Sequence, residues 1–162
     1  MREWILKGLG GLILLAASVG YGQARIAEEK RRRGELEALI ALVSVIRGEI
    51  GALSRPLSDI WASFSSPALE KNGFLPALRR DGFVRALAAA DWRLTEDERA
   101  PLLPFAASLG KTYREEQVAL CRRTEEKLGA VLSALEKNGA EREKLWRTLP
   151  PLAALSAILL FL

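Results

Sequence analysis

The chain has 162 residues and a formal net charge of +4, with one cysteine and no histidine. The lack of histidine excludes Ser-His-Asp and Cys-His catalytic arrangements as well as zinc sites of the usual Cys/His kind, and a lone cysteine excludes an internal disulfide. The length allows one domain of ordinary size, and the abundance of Ala, Leu, Glu, Lys and Arg favours helices over sheet.

The first stretch, residues 1–22, predicts a membrane anchor. Its apolar part, residues 4–21, would span about 27 Å as a helix, roughly the hydrocarbon core of a bilayer. Trp4 and Tyr21 mark its two edges, where amphipathic rings favour the membrane interface. A cleaved signal peptide is the alternative, because Gly22-Gln23-Ala24 resembles a cleavage site. The basic run that follows at once favours the anchor.

Basic residues follow the anchor and recur just before the C-terminal apolar segment. They predict a solvated collar at the level of the lipid headgroups, with attraction to anionic lipid of about 1 kcal/mol per basic residue near the surface. The positive-inside rule then places the region 23–147 in the cytosol, with both chain ends in the membrane. No motif supports a nucleic-acid role. The collar consists of Arg25, Lys30, Arg31, Arg32, Arg33 and Arg147.

The region 23–147 predicts an all-α fold, an antiparallel helical bundle with two long helices and several short ones, flanked by membrane helices. One long helix continues the anchor to about residue 53, and the other opens with a Thr112–Glu115 capping box and runs to about Leu149. Narrow apolar stripes require the two to pack along each other. The stripes are Leu36, Leu39, Ile40, Val43, Ile46, Ile50 and Leu53 in the first helix, and Val118, Cys121, Leu128, Val131, Leu132, Leu135 and Leu145 in the second.

Short helices and turns are expected between the long helices. Pro56 suits the first position of a helix, Thr95 with Glu98 forms a capping box, and Pro101 predicts either a kink or a helix start. The expected breakers are Pro67, Asn72-Gly73, Pro76 and Asp81-Gly82. The expected apolar faces are Leu57, Ile60, Trp61 and Phe64, then Phe74, Leu75, Leu78, Phe83, Val84 and Leu87, then Leu102, Leu103, Phe105, Ala106 and Leu109.

The C-terminal segment, residues 148–162, is almost wholly apolar. It reaches about 21 Å as a helix, which is short for a full span. A second, short membrane helix and a tail packed against the protein are the two interpretations, and the absence of charge favours the membrane. Pro150-Pro151 predicts a kink at its start.

No motif supports catalysis, a cofactor or a metal. There is no glycine-rich phosphate loop, and the paired carboxylates belong to charged helix faces. Cys121 falls on an apolar helix face, which predicts a small buried residue rather than a nucleophile.

Three motifs resemble stage III sporulation protein AB of endospore-forming bacteria. In the first, five residues separate Glu49-Ile50 from Pro56-Leu57. The second is the run 144–149, which stands just before the apolar tail. The third motif consists of Leu109-Gly110, Thr112, Arg114, Glu115 and Gln117. The chain departs from the family at Tyr113, where an acidic residue is usual, and at Pro150-Pro151, where a glycine is expected.

The resemblance implies a non-enzymatic membrane component of the channel or secretion-like complex between mother cell and forespore. Its place would be the mother-cell side of the outer forespore membrane, with the soluble domain in the cytosol. The family's soluble domain is similar to the cytoplasmic domains of type II secretion platform proteins. The implied partners are a cytosolic secretion-type ATPase and other channel proteins. Independently of the resemblance, the small residues Ala16 and Gly20 of the anchor would allow close packing against the C-terminal segment or another copy of the chain.

The partner is expected to bind where the long helices meet the shorter ones. The candidate residues are Glu49, Pro56, Leu57, Arg114 and Gln117. The alternative is that Pro56 and Gln117 only shape turns and caps. Two other function classes stay open. One is a general membrane-tethered scaffold of the cell envelope, which would show sustained heptads, or a type II secretion-like platform outside sporulation. The other is a membrane-bound enzyme, which would need a buried cluster of ionisable groups.

Overall fold

The computed structural model describes the backbone of residues 2–52 and 55–161. It describes side chains for residues 17, 20–52, 55–139, 144, 145, 148, 152 and 156. Within these limits the chain is all-helical, as predicted. The helices are α1 (Arg2–Ala52), α2 (Leu57–Ser63), α3 (Pro67–Lys71), α4 (Phe74–Asp81), α5 (Phe83–Ala89), α6 (Glu96–Arg99), α7 (Leu102–Ser108) and α8 (Arg114–Phe161).

The chain divides into two compact units. Residues 31–135 form a core unit, which holds α2 to α7 and the adjoining parts of α1 and α8. Residues 1–30 and 136–162 form a terminal unit, in which Gly139 lies beside the Glu29 carboxylate. In the described part of the chain, no helix has a stretch that is both long and apolar enough to cross a bilayer. Most side chains of the two apolar end segments lie outside the described residues.

α1 runs unbroken past the point where the predicted anchor ends, so the predicted continuity is confirmed. Its apolar stripe faces the core as expected, with Leu36, Leu39, Val43 and Ile46 fully buried. Leu42 is equally buried, although it was not part of the predicted stripe. Leu53 lies outside the described residues.

α8 begins at Arg114, not at the predicted capping box. The Tyr113 carbonyl accepts the first helical hydrogen bond, from the Gln117 amide at 2.9 Å, so Tyr113 and not Thr112 is the capping residue. Within the core unit, Arg47 Nε donates to Glu125 Oε1 at 2.9 Å. This contact joins the later part of α1 to the early part of α8, as an antiparallel pair requires. α8 also includes the backbone of the C-terminal segment up to Phe161.

The short helices enclose an aromatic cluster. The Phe83 ring lies 5.3 Å from Phe105 and 5.4 Å from Phe74, both edge-on, and 6.0 Å from Trp61. Such tilted ring pairs add to the area that they bury. Since these four residues come from α2, α4, α5 and α7, the cluster joins those four short helices.

Several local predictions are confirmed. Thr95 and Glu98 form the complete capping box of α6, and α7 begins directly after Pro101, which settles the choice between a kink and a start. Short helices and turns fill residues 65–91, and Pro67 occupies the first turn of α3.

Others are wrong. Pro76 does not break the chain, because it sits in the first turn of α4, where a missing N–H has no helical partner to lose. Pro56 caps α2 and does not open it. Val84 and Leu103, both expected in the core, are 58% and 60% exposed. A helix of seven residues can bury only one face, and other residues of α5 and α7 occupy it.

Candidate partner-binding site

Gln117 connects the end of α7 to the start of α8. Its Oε1 accepts from the Gly110 N–H at 3.1 Å, and its Nε2 donates to the Ser108 carbonyl at 3.1 Å and to Thr112 Oγ1 at 2.9 Å. The residue is only 3% exposed. Its amide therefore satisfies the polar groups of the turn and stabilises it, as the alternative interpretation of Gln117 expects.

Gly110 is the tightest point of the same turn. Its φ of +79° lies in the left-handed region that favours glycine. An added Cβ would lie 3.3 Å from Leu57 Cδ1, so the start of α2 packs directly against this turn. The two motifs that carry Leu57 and Gln117 thus meet in space.

The other candidate residues surround this contact. Pro56 and Arg114 are exposed and stand at the starts of α2 and α8. Glu49 is half-buried, and its Oε2 lies 3.5 Å from Arg55 Nη1. Among the described residues this oxygen has no hydrogen-bond partner. Binding of a partner here stays a prediction, in which the exposed Pro56 and Arg114 would make the contacts.

The predicted collar is not uniform. Arg32 forms a two-pronged ion pair with Glu98, with Nη2–Oε1 at 2.6 Å and Nε–Oε2 at 3.2 Å. Arg33 pairs with Glu37 at 2.7 Å, and Arg25 Nη2 donates to the Tyr21 hydroxyl at 3.1 Å. Lipid attraction by Arg32 would compete with a charge partner that it already has.

The remaining collar residues differ from these. Lys30 and Arg31 are exposed and have no ion-pair partner within the described part of the chain. The side chain of Arg147 lies outside the described residues.

A cleft of about 380 Å³ opens between α1, the end of α3 and the loop after α5. Sequence reasoning missed this cleft. Its lining is Arg31, Gly34, Glu35, Ala68, Lys71, Asn72, Asp91 and Arg93. The loop is fixed at two points, because Glu35 Oε2 accepts from the Arg93 N–H and the Asn72 carbonyl accepts from the Asp91 N–H, each at 2.9 Å.

Glu35 is a buried carboxyl group, 5% exposed. Burial raises its pKa, and the hydrogen bond from the Arg93 backbone opposes that shift without cancelling it. The sequence did carry a signal for this position. Glu35 precedes Leu39, Leu42 and Ile46 at steps of four, three and four, which places it on the buried stripe of α1. Gln117 and Thr124 stand on the stripe of Cys121 and Leu128 at the same steps.

Cys121 is buried, as predicted. Burial and the nearby Glu125 carboxylate raise the pKa of its thiol to about 11, although Arg47 acts in the opposite direction. Such a thiol is a poor nucleophile at neutral pH. In the described part of the chain, no three Cys, Asp or Glu residues are grouped so that they could hold a metal ion.

The family model of stage III sporulation protein AB matches residues 82–162. The chain belongs to the stage III sporulation protein AB family. The match confirms the resemblance that the motifs indicated, and it includes the turn before α8 with Arg114 and Gln117. Glu49, Pro56 and Leu57 lie before the matched residues, as does most of the collar. No curated protein and no solved structure matches the chain.

Proposed function

We propose that this family member is a non-enzymatic membrane component of the channel or secretion-like complex between mother cell and forespore. It would act as a platform that docks a cytosolic ATPase or channel subunits. The observation that carries the proposal is the match to a sporulation family. The secretion analogy adds the type of partner, and the soluble part would face the mother-cell cytosol from the outer forespore membrane.

The sequence supports membrane attachment at both ends. Residues 4–21 have the length and interfacial aromatic residues of an anchor, and basic residues flank the middle region on both sides. Extraction of membranes with alkaline carbonate tests this: the full chain should stay in the pellet and enter solution only with detergent. Release by carbonate would contradict the anchor. Protease added from outside intact cells should leave the middle region uncut, and cleavage there would contradict the cytosolic orientation.

The turn before α8 supports docking, because Gln117 and Gly110 hold it in a fixed conformation and the exposed residues Pro56 and Arg114 stand beside it. A preformed surface binds with a smaller loss of conformational entropy than a mobile one. The test is co-purification of the full chain, in detergent, with a secretion-type ATPase from the same organism. Pro56→Ala combined with Arg114→Ala should reduce recovery of the ATPase.

A matched control for this test is Arg123→Ala, which removes an exposed cation from another part of α8. It should leave recovery unchanged. Equal recovery with the Pro56/Arg114 variant would place docking elsewhere, and no recovery with the unaltered chain would overturn the docking role.

A further inference from the structure

The cleft beside Glu35 has the features of a preformed binding site. Its volume of about 380 Å³ lies in the range of sites for small ligands, roughly 300–1,000 Å³. Two backbone N–H groups of the loop after α5, those of Arg93 and Asp91, donate to the Glu35 carboxylate and the Asn72 carbonyl and hold the loop against α1 and the end of α3. The cleft is therefore preorganised, and a ligand would bind without having to order its walls.

The charges on the walls define what can enter. Arg31 and Lys71 are exposed cations on two different walls, and neither has an ion-pair partner in the described part of the chain. Arg93 adds a third cation, which lies 3.4 Å from Asp91. Two unengaged cations on facing elements favour an anionic occupant.

The same walls also present acceptors. Asp91 contributes an exposed carboxylate, whereas the Glu35 carboxylate is only 5% exposed and already accepts from the Arg93 N–H. A free phosphate ion offers mainly acceptors and would face both carboxylates without donors to match them. A peptide offers backbone N–H groups for the Asp91 carboxylate and, if acidic, carboxylates for the cations.

We infer that the cleft binds an acidic peptide segment of a protein partner, with Arg31 and Lys71 contacting its carboxylates and Asp91 accepting from its backbone. The site lies outside the turn before α8 and would be a second contact of the docking platform, so the inference rests on the proposed function. It assigns Arg31, which the sequence places in the collar, a partner other than lipid.

The test uses the full chain in detergent micelles and two fluorescently labelled peptides with blocked ends. One alternates aspartate with glycine, and the other has asparagine in place of aspartate. Fluorescence polarisation should detect binding of the aspartate peptide only, and rising salt should weaken it. Arg31→Gln with Lys71→Gln should weaken binding by about tenfold, since each exposed charge pair contributes up to a few-fold.

The matched control is Arg85→Gln with Arg123→Gln, which lowers the net charge equally at exposed positions outside the cleft. This variant should bind the aspartate peptide as the unaltered chain does. Equal weakening by both double variants, equal binding of both peptides, or no binding at all would overturn the inference. Full displacement of the peptide by millimolar inorganic phosphate would instead assign the cleft to phosphate and would also overturn it.

The outcome is separable from that of the docking test. Binding of the peptide to a chain that recruits no ATPase would overturn only the proposed function. Recruitment of the ATPase by a chain that does not bind the peptide would overturn only this inference.

Discussion

Arg32 of α1 and Glu98 of α6 form an ion pair across 66 positions of the chain, and the same carboxylate caps α6. Glu98 Oε2 accepts from the Thr95 N–H at 2.8 Å as well as from Arg32 Nε. One carboxylate therefore fixes the start of a helix and attaches it to α1. The side chains of Arg32 and Glu98 are only 22% and 15% exposed, so solvent screens this pair less than a surface pair.

Replacement of Glu98 by alanine should lower the free energy of unfolding by about 2–4 kcal/mol. It removes a capping interaction worth about 1 kcal/mol and a charged hydrogen-bonded pair worth about 1.5–3 kcal/mol. Denaturant titration of the full chain in detergent, followed by far-UV circular dichroism, measures the loss. Glu37→Ala is the matched control, because its pair with Arg33 is exposed and contributes about 0.3–0.5 kcal/mol. Equal losses for the two variants would contradict the dual role of Glu98.

Replacement of Gly110 by alanine should destabilise the chain by more than about 1 kcal/mol, the usual cost of a left-handed conformation for a residue with a Cβ. The added methyl group would also press on Leu57 Cδ1. Gly73→Ala isolates the conformational part, because Gly73 has a φ of +82° but open space around it. Gly129 lies inside α8 with open space around it, so its replacement by alanine should instead raise the free energy of unfolding by about 0.5–1 kcal/mol. A Gly110 variant no less stable than the Gly73 variant would argue against the Leu57 contact.

Replacement of Gln117 by leucine should destabilise the turn before α8 by about 0.5–1.5 kcal/mol, because it removes the acceptor of the Gly110 N–H. Hydrogen exchange at the Gly110 amide reports this directly and should accelerate in the variant. Leu120→Ala, a substitution at a partly buried position of α8, serves as a control for general loss of stability. Protection of Gly110 that stays unchanged in the Gln117 variant would contradict the role of the amide.

Replacement of Glu35 by glutamine should raise stability at neutral pH relative to the unaltered chain. Burial raises the pKa of Glu35 in the folded state, so the folded chain binds more protons than the unfolded one between the ordinary glutamate pKa, about 4.3, and the raised value. Stability of the unaltered chain therefore falls as the pH rises through this window. The charged groups that face Glu35 across the cleft are Arg31, Lys71, Asp91 and Arg93.

Thermal unfolding at several pH values measures this difference. The gain from Glu35→Gln should shrink as the pH falls towards the ordinary glutamate pKa. Glu116→Gln changes the net charge equally at an exposed site and should show no such trend. A constant difference at every pH would be inconsistent with the raised pKa of Glu35.

The lone cysteine should report global unfolding. With the pKa of its thiol raised to about 11, Cys121 in the folded chain has a thiolate fraction roughly three-hundredfold below that of an ordinary thiol, whose pKa is about 8.5. Reaction with a maleimide should therefore be slow in the folded chain and fast in denaturant. Equally fast labelling in both conditions would show that Cys121 is accessible.

Short-range sequence patterns were enough to predict much of the secondary structure and the family of this protein. Helical composition, the spacing of Leu36, Leu39, Val43 and Ile46, and the Thr95–Glu98 capping box depend on neighbours in the chain, so periodicity reveals them. The motifs around Gln117 likewise sufficed to indicate the family. The same local rules failed for Thr112 as a cap and Pro76 as a breaker, because a neighbouring residue supplied the cap and the first helical turn tolerates proline.

Tertiary structure alone decided the relationships between distant segments. Nothing local pairs Arg32 with Glu98, sets Gly110 against Leu57, or brings Glu35, Asn72 and Arg93 to one cleft. From the sequence alone, a charged residue in a basic run is expected to be solvated, and only the fold shows that it pairs with a residue far along the chain. Burial and charge pairing depend on which surfaces meet, and the meeting of surfaces is a property of the whole fold.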